Sequence, residues 1–223
     1  DEIIRVRYQE VTEFSADGLA WIKQNDKWGV INREGKTVAK VKYDEPGVWN
    51  ENGTAHVKID GLVGILSKTG KEIHKPQYES IGAFNEEGLA WCTKEGLYGL
   101  INSTGKRLSD NKYDEVAEWS ESGIALVRIG TKWGFVNKAG KEVLEVAYDE
   151  IGAFNDLGVA KVMNEGKYGL IHILGKALTP VKYSTIGDFA AGFAKVSIDG
   201  KFGVINASGA EVTAVGIEGK RCM

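Results

Sequence analysis

The chain has 223 residues, with 28 basic and 31 acidic side chains and a formal net charge of -3. With charges this nearly balanced, the sequence shows no excess of basic residues that would bind nucleic acid or an anionic membrane surface, so we expect neither as a partner. No apolar run approaches the ~20 residues of a membrane-spanning helix, so no membrane insertion is expected. Two cysteines, Cys92 and Cys222, are too few for a disulfide framework.

An internal repeat dominates the sequence. A large apolar residue followed by Gly recurs with four spacings of 35 residues and one of 34, at Trp28-Gly29, Val63-Gly64, Tyr98-Gly99, Trp133-Gly134, Tyr168-Gly169 and Phe202-Gly203. A fixed period of about 20–50 residues is typical of solenoids, propellers and other repeat arrays. We therefore predict a single repeat domain over residues 1–223, with six repeats at 8–42, 43–77, 78–112, 113–147, 148–182 and 183–216.

Each repeat contains four apolar stretches of about five residues, and short stretches between turn signals predict β-strands. In the fifth repeat the first two stretches cover residues 150–154 and 159–163; in the fourth repeat the last two cover 132–136 and 142–145. Because Pro cannot donate to a ladder, the prolines near the fourth stretch place that strand at a sheet edge. The predicted fold class is all-β, with four strands per repeat and no helix.

The second stretch alternates between constant and varying positions. One position is always Ala, the position two residues later is Ile, Val or Cys, and the residue between them changes from repeat to repeat. Since alternate strand residues point to opposite faces, the constant pair should be buried and the varying residue more exposed. We take the varying position as the candidate ligand-binding surface: Trp21, His56, Trp91, Leu126, Lys161 and Lys195.

Trp21 and Trp91 are the most informative members of this set. An exposed Trp that the fold does not require is a candidate stacking platform for a sugar ring or an anchor for a protein partner. The alternative is that each Trp covers a neighbouring strand.

Two turns recur in every repeat. Dipeptides such as Asp60-Gly61 and Glu165-Gly166 predict tight hairpins between the second and third strands. The string Asn-x-x-Gly-Lys, as at residues 32–36, predicts a hairpin between the third and fourth strands, with Gly in the left-handed conformation. The Gly after the aromatic residue is interpreted as room for an aromatic ring from an adjacent strand or repeat.

These strings resemble the WG, or KWG, repeat family of bacteria. Residues 27–32 and 132–137 carry Lys-Trp-Gly followed by two hydrophobic residues and Asn, and the resemblance extends from residue 8 to about 216. Val63 departs from the pattern because it lacks the ring. The resemblance implies a binding or scaffolding module with no shared ligand and no catalytic residue.

Two architectures fit six such repeats: a closed six-bladed, propeller-like ring, or an open β-solenoid or twisted array of hairpins. Open arrays need atypical capping units, whereas the terminal repeats here are as regular as the inner ones. Residues 3–7 also read as a fourth strand without a repeat of its own, which could pair with the last repeat. The ring is the favoured architecture.

Residue types that carry chemistry do not converge in the sequence. The three histidines, His56, His74 and His172, occupy three different repeat positions, and Cys92 takes a buried strand position. The acidic pairs that follow the first Tyr of several repeats, such as Asp44-Glu45, are interpreted as caps on backbone N–H groups rather than metal ligands. We expect no catalytic residue, metal or cofactor, and leave open whether Cys92 pairs with Cys222.

The function expected from the sequence is a non-catalytic module that binds a protein, peptide or glycan. One alternative is an enzyme with a site in a central channel. Glu118 and Asp188 are candidate residues for such a site, because they are acidic at a repeat position that is apolar in other copies. Another alternative is a purely structural spacer. The compartment stays open, with the cell envelope or extracellular space of a bacterium favoured over the cytoplasm.

Overall fold

The computed structural model describes residues 8–217, together with the side chains in that range except those of residues 214, 216 and 217. Every regular element in this part of the chain is a β-strand. Two compact units divide the chain, one up to Asn111 and one from Lys112 onward. Each unit therefore contains three of the repeats predicted from the sequence; the repeat boundaries themselves and the single domain stay predictions.

The first unit contains ten strands in three antiparallel sheets, with the order β1-β2-β3-β4 in repeat 1, β5-β6-β7 in repeat 2 and β8-β9-β10 in repeat 3. The strands are β1 Glu10–Val11, β2 Leu19–Gln24, β3 Lys27–Asn32, β4 Thr37–Tyr43, β5 Thr54–Ile59, β6 Leu62–Ser67, β7 Glu72–Tyr78, β8 Ser80–Ile81, β9 Leu89–Lys94 and β10 Leu97–Asn102.

The second unit repeats the plan with eleven strands, ordered β11-β12-β13-β14 in repeat 4, β15-β16-β17 in repeat 5 and β18-β19-β20-β21 in repeat 6. The strands are β11 Glu115–Val116, β12 Ile124–Ile129, β13 Lys132–Asn137, β14 Glu142–Tyr148, β15 Glu150–Ile151, β16 Val159–Asn164, β17 Lys167–His172, β18 Thr185–Ile186, β19 Phe193–Ile198, β20 Lys201–Asn206 and β21 Glu211–Ile217.

Three of the six sheets have the predicted four strands and three have only three. Repeat 2 lacks the first strand, where Pro46 cannot donate to a ladder. Repeats 3 and 5 lack the fourth, where Asp110, Asn111 and Pro180 are poor strand formers. Where the fourth strand forms it is an edge strand, as predicted.

The recurring turns follow the sequence signals. Asp60 and Gly61 have φ of 52° and 78°, and Glu165 and Gly166 have 51° and 73°. Both residues of each pair are thus left-handed, as two-residue hairpins of this twist require. In the next turn, Asn32 Oδ1 accepts hydrogen bonds from the N–H groups of Glu34 and Lys36 at 3.1 and 2.9 Å.

The Gly of the aromatic–Gly pair does not make room for an aromatic ring, so that interpretation was wrong; at Gly29 and Gly64 it makes room for the backbone of the fourth strand. A Cβ on Gly29 would lie 2.8 Å from Ala39 O and Val41 N, and one on Gly64 would lie 2.5 Å from Pro76 N. The register of β3 with β4 shifts at this point, and so does that of β6 with β7. The missing side chain lets an irregular fourth strand approach the third.

The constant pair of the second strand forms the centre of each sheet's core. Ala20, Ala55 and Ala125 are fully buried, and their partners Ile22, Val57 and Val127 are no more than 2% exposed. The Tyr that opens each repeat is buried in four of the six copies: Tyr43, Tyr78, Tyr113 and Tyr183. A second position, before the second strand, is aromatic in every repeat and from that regularity would be expected in the core. It is only partly buried at Trp49 and Phe84, and Phe14 is 38% exposed.

Each sheet is hydrogen-bonded within one repeat, and no ladder among residues 8–217 joins two sheets. Closure of a ring is therefore not shown by backbone pairing. Residues 3–7, the predicted closing strand, lie outside the described residues.

Candidate functional site

The six candidate residues occupy one repeating position, the third residue of the second strand. Their cross-strand partners on the third strand are equivalent too: Trp21 pairs with Val30, His56 with Ile65 and Lys161 with Leu170. Four of the six side chains lie against the first segment of the following repeat: Trp21, His56, Leu126 and Lys161. The position therefore lines junctions between consecutive repeats within each unit.

Trp21 contradicts the expectation of exposure. Its side chain is only 4% exposed and belongs to the core of the first unit. The indole stacks on Trp49 of repeat 2 with ring centroids 5.7 Å apart, and meets Tyr43 edge-on at 6.2 Å. Trp21 therefore packs repeat 1 on repeat 2, which is the structural alternative considered from the sequence.

The next junction, between repeats 2 and 3, is open. His56 replaces Trp21 at the equivalent position and is half-buried beside a groove of about 850 Å³. We call it the 2–3 groove: it is lined by residues 45–48 and 50–52 of repeat 2, by His56 and Lys58 of β5, and by residues 83–86 of repeat 3. Grooves of roughly 300–1,000 Å³ are typical of small-ligand and side-chain sites.

Apolar and acidic side chains share the walls of the 2–3 groove. Val48 is 81% exposed, and Phe84 is a partly buried ring packed against the core beneath it. Glu45 is paired with Lys58 at 2.8 Å, whereas Glu51 and Glu86 are exposed and form no ion pair within residues 8–217. Burial lowers the pKa of His56, which keeps its imidazole neutral at pH 7.

The second unit fills the corresponding junctions differently. Leu126 and Phe154 of the following repeat are both partly buried and pack against the same core cluster. Lys161 reaches across the next junction, and its Nζ donates to Asp188 Oδ1 at 3.0 Å. A smaller groove of about 370 Å³ remains there. Asp188, one of the candidates for a channel site, thus bonds to the side chain at the varying position.

The remaining two candidates are Trp91 and Lys195. Trp91 is partly buried on β9, opposite Leu100 of β10. Lys195 is exposed on β19, with its Nζ 3.9 Å from the centre of the Phe202 ring. The expectation of exposure is confirmed for Lys195, but not for Trp21.

The acidic residues after the first Tyr cap hairpin turns, as the sequence predicts. Asp44 Oδ2 accepts a hydrogen bond from Gly61 N at 3.1 Å, and Asp149 Oδ2 accepts one from Glu165 N at 2.8 Å. Asp44 also accepts from Lys27 Nζ of the preceding repeat at 2.6 Å, and these bonds lower the pKa of its carboxyl group. The Lys of the Lys-Trp-Gly motif therefore ties one repeat to the next.

The other chemistry-bearing residues have structural partners. His74 is 5% exposed and its Nε2 lies 2.8 Å from Asn102 O of repeat 3, while His172 Nδ1 accepts from Leu174 N at the turn position that Asn takes elsewhere. Cys92 is buried and unpaired among the described cysteines. Cys222, the cysteine whose pairing with Cys92 the sequence left open, lies outside the described residues.

Residues 8–217 contain no group of three or more His, Cys, Asp or Glu side chains arranged to hold a metal ion. They also contain no helix long and apolar enough to cross a bilayer.

Reasoning from the sequence identified His56 but missed the groove walls. Phe84 occupies a position that is aromatic in every repeat, a regularity typical of core residues, and Val48, Glu51 and Glu86 show no pattern that marks them. The only available signal was the contrast between a Trp at position 21 and a smaller, polar residue at the equivalent position 56.

Comparison with known proteins agrees with this repeat plan. The profile of the WG containing repeat family matches six consecutive segments: residues 1–28, 28–62, 64–98, 98–133, 133–168 and 168–202. No curated protein matches the sequence at a significant level.

Solved structures resemble the chain only weakly. A crystal structure described as the eukaryotic initiation factor is 12% identical, with 94% of this chain and 67% of that chain covered and a TM-score of 0.33. Kluyveromyces lactis Hsv2p is 11% identical, with 89% and 75% covered and a TM-score of 0.32. The dihydro-heme d1 dehydrogenase NirN is 11% identical, with 95% and 57% covered and a TM-score of 0.30.

Proposed function

Since the chain belongs to the WG containing repeat family, we propose that it is a non-catalytic binding module that recognises a protein or peptide partner at the 2–3 groove. The observation that carries the proposal is the difference between two equivalent junctions. One is filled by the indole of Trp21, and the other is left open at His56. Both junctions place an aromatic residue of the following repeat, Trp49 or Phe84, near the varying position, and they differ in the side chain at that position.

A protein or peptide is favoured over a glycan because of the composition of the 2–3 groove. The groove combines an apolar wall with carboxylates at its rim that form no ion pair within residues 8–217, a mixture typical of protein interfaces.

The proposed architecture is the closed six-bladed ring. Its support is the regularity of the terminal repeats and the strand-like residues 3–7, since closure removes exposed sheet edges.

The binding function is tested by panning the purified chain against a random peptide library, alongside a glycan array. Each selected ligand is then measured on two variants. His56→Trp places in the 2–3 groove the side chain that fills the preceding junction, and Lys161→Trp makes the same change at another junction as the matched control.

We expect peptides that bind the wild-type chain and Lys161→Trp, and that lose at least about tenfold in affinity on His56→Trp, a loss of about 1.4 kcal/mol. Ligands found only on the glycan array would overturn the protein or peptide partner. Peptide binding that His56→Trp leaves unchanged would overturn the groove as the site.

A further inference from the structure

We propose that the 2–3 groove accepts an aromatic side chain, preferably Trp, that is flanked by basic residues in a partner peptide. This inference rests on the proposed binding function and specifies the chemistry of its ligand. Three features of the molecule support it: an aromatic ring fills the preceding junction, the equivalent space at the 2–3 junction is empty, and the rim of the groove is acidic.

The preceding junction shows what such a groove holds. The Trp21 indole lies nearly parallel to the Trp49 ring, with an interplanar angle of 27°. The Cζ2 atom of Trp21 lies 3.0 Å from where a Cβ on Gly47 would be, beside the His56 carbonyl oxygen at 2.6 Å. A flat aromatic ring therefore fits the junction between repeats 1 and 2 in the chain's own packing.

The equivalent space at the 2–3 junction is empty. Gly82 is the counterpart of Gly47, and a Cβ on Gly82 would meet only the carbonyl oxygen of Trp91, at 3.4 Å. Phe84, the counterpart of Trp49, keeps an aromatic ring on the wall without a stacking partner from His56. An incoming ring would therefore find a ring to stack against, with centroids separated by the usual ~4.5–7 Å.

The rim determines what should flank the ring. Glu51 and Glu86 are exposed on opposite walls and form no ion pair within residues 8–217, while Lys58 is already paired with Glu45. The half-buried His56 is neutral at pH 7 because burial disfavours its charged form. The groove thus presents net negative charge, which complements Lys or Arg next to the bound aromatic residue and steers its approach.

The test uses three capped peptides of the same length: Gly-Lys-Trp-Lys-Gly, Gly-Glu-Trp-Glu-Gly and Gly-Lys-Ala-Lys-Gly. Binding to the full chain is followed by two-dimensional ¹H–¹⁵N NMR, which reports both affinity and location. Three variants are compared: His56→Trp, the control Lys161→Trp, and the double variant Glu51→Gln with Glu86→Gln, which changes only exposed side chains.

We expect the Lys-Trp-Lys peptide to bind at least about tenfold more tightly than the other two, with shifts concentrated at Gly47, His56 and Phe84. His56→Trp should abolish this binding, Lys161→Trp should preserve it, and the double Gln variant should weaken it at least about threefold. The double variant keeps the test valid even if His56→Trp does not fold.

Two results would overturn the inference. One is equal binding of the Ala and Trp peptides, which removes the aromatic requirement; the other is equal binding of the Glu-flanked and Lys-flanked peptides, which removes the role of the rim. If library peptides of other composition still bind and are blocked by His56→Trp, the binding function stands and only this ligand chemistry fails.

Discussion

Replacing Trp21 with Ala should destabilise the protein rather than weaken a binding surface. The side chain is 4% exposed and contacts Trp49 and Tyr43. A Trp side chain of ~200 Å² buried at ~25 cal/mol per Å² contributes about 5 kcal/mol. The stacked pair adds about 1 kcal/mol, while Trp21 Nε1 is buried without a hydrogen-bond partner in the described residues, an offset of about 1–3 kcal/mol.

The expected net loss in the free energy of unfolding is therefore about 3–5 kcal/mol, in the range of core Trp→Ala substitutions. The matched control is His56→Ala at the equivalent position, where the side chain is half-buried beside an open groove and the loss should be at most about 1 kcal/mol.

The measurement is guanidinium unfolding followed by far-UV circular dichroism, since Trp fluorescence would be altered by the substitution itself. The midpoint shift is converted to free energy with the slope of each transition. A loss below about 1 kcal/mol for Trp21→Ala, or equal losses for both variants, would refute the assignment of Trp21 as a packing residue.

Three further predictions concern the repeat framework. Gly64→Ala should lower stability by about 1–3 kcal/mol in the same unfolding assay, because the new Cβ would lie 2.5 Å from Pro76 N. Gly82→Ala, whose nearest atom is 3.4 Å away, should have little effect, and equal effects would contradict the backbone-approach explanation. Asp44 has a pKa below its ordinary value of 3.8, so its contribution is present above that value and is lost as pH falls through the lowered folded pKa. The difference in melting temperature between wild type and Asp44→Asn should accordingly shrink from pH 7 toward pH 2–3, and a constant difference across that range of roughly 4–5 pH units would contradict it. Deleting residues 1–7 should lower the melting temperature if they close the ring, and an unchanged melting temperature would argue for the open array.

The periodicity of the chain determined most of its local structure, although three of the six sheets lack one predicted strand. The constant Ala and Val positions of the second strand show which face is buried, because alternate residues of a strand point to opposite faces. Asn32 and Asp60 mark turns whose geometry depends on neighbouring atoms alone. That Asp44 and Asp149 cap backbone N–H groups was predictable, but not which turns they cap, since the capped groups lie 17 and 16 residues further along the chain. The order of strands within each sheet follows from hairpins between consecutive strands.

Only the tertiary structure decided what the varying position does. Trp21 and His56 occupy the same place in their strands, yet one is buried against the next repeat and the other borders an open groove. That difference depends on what the following repeat places opposite, Trp49 in one case and Phe84 in the other. A contact between residues 28 positions apart has no signature in strand alternation, so burial, and with it the candidate site, was settled by packing between repeats.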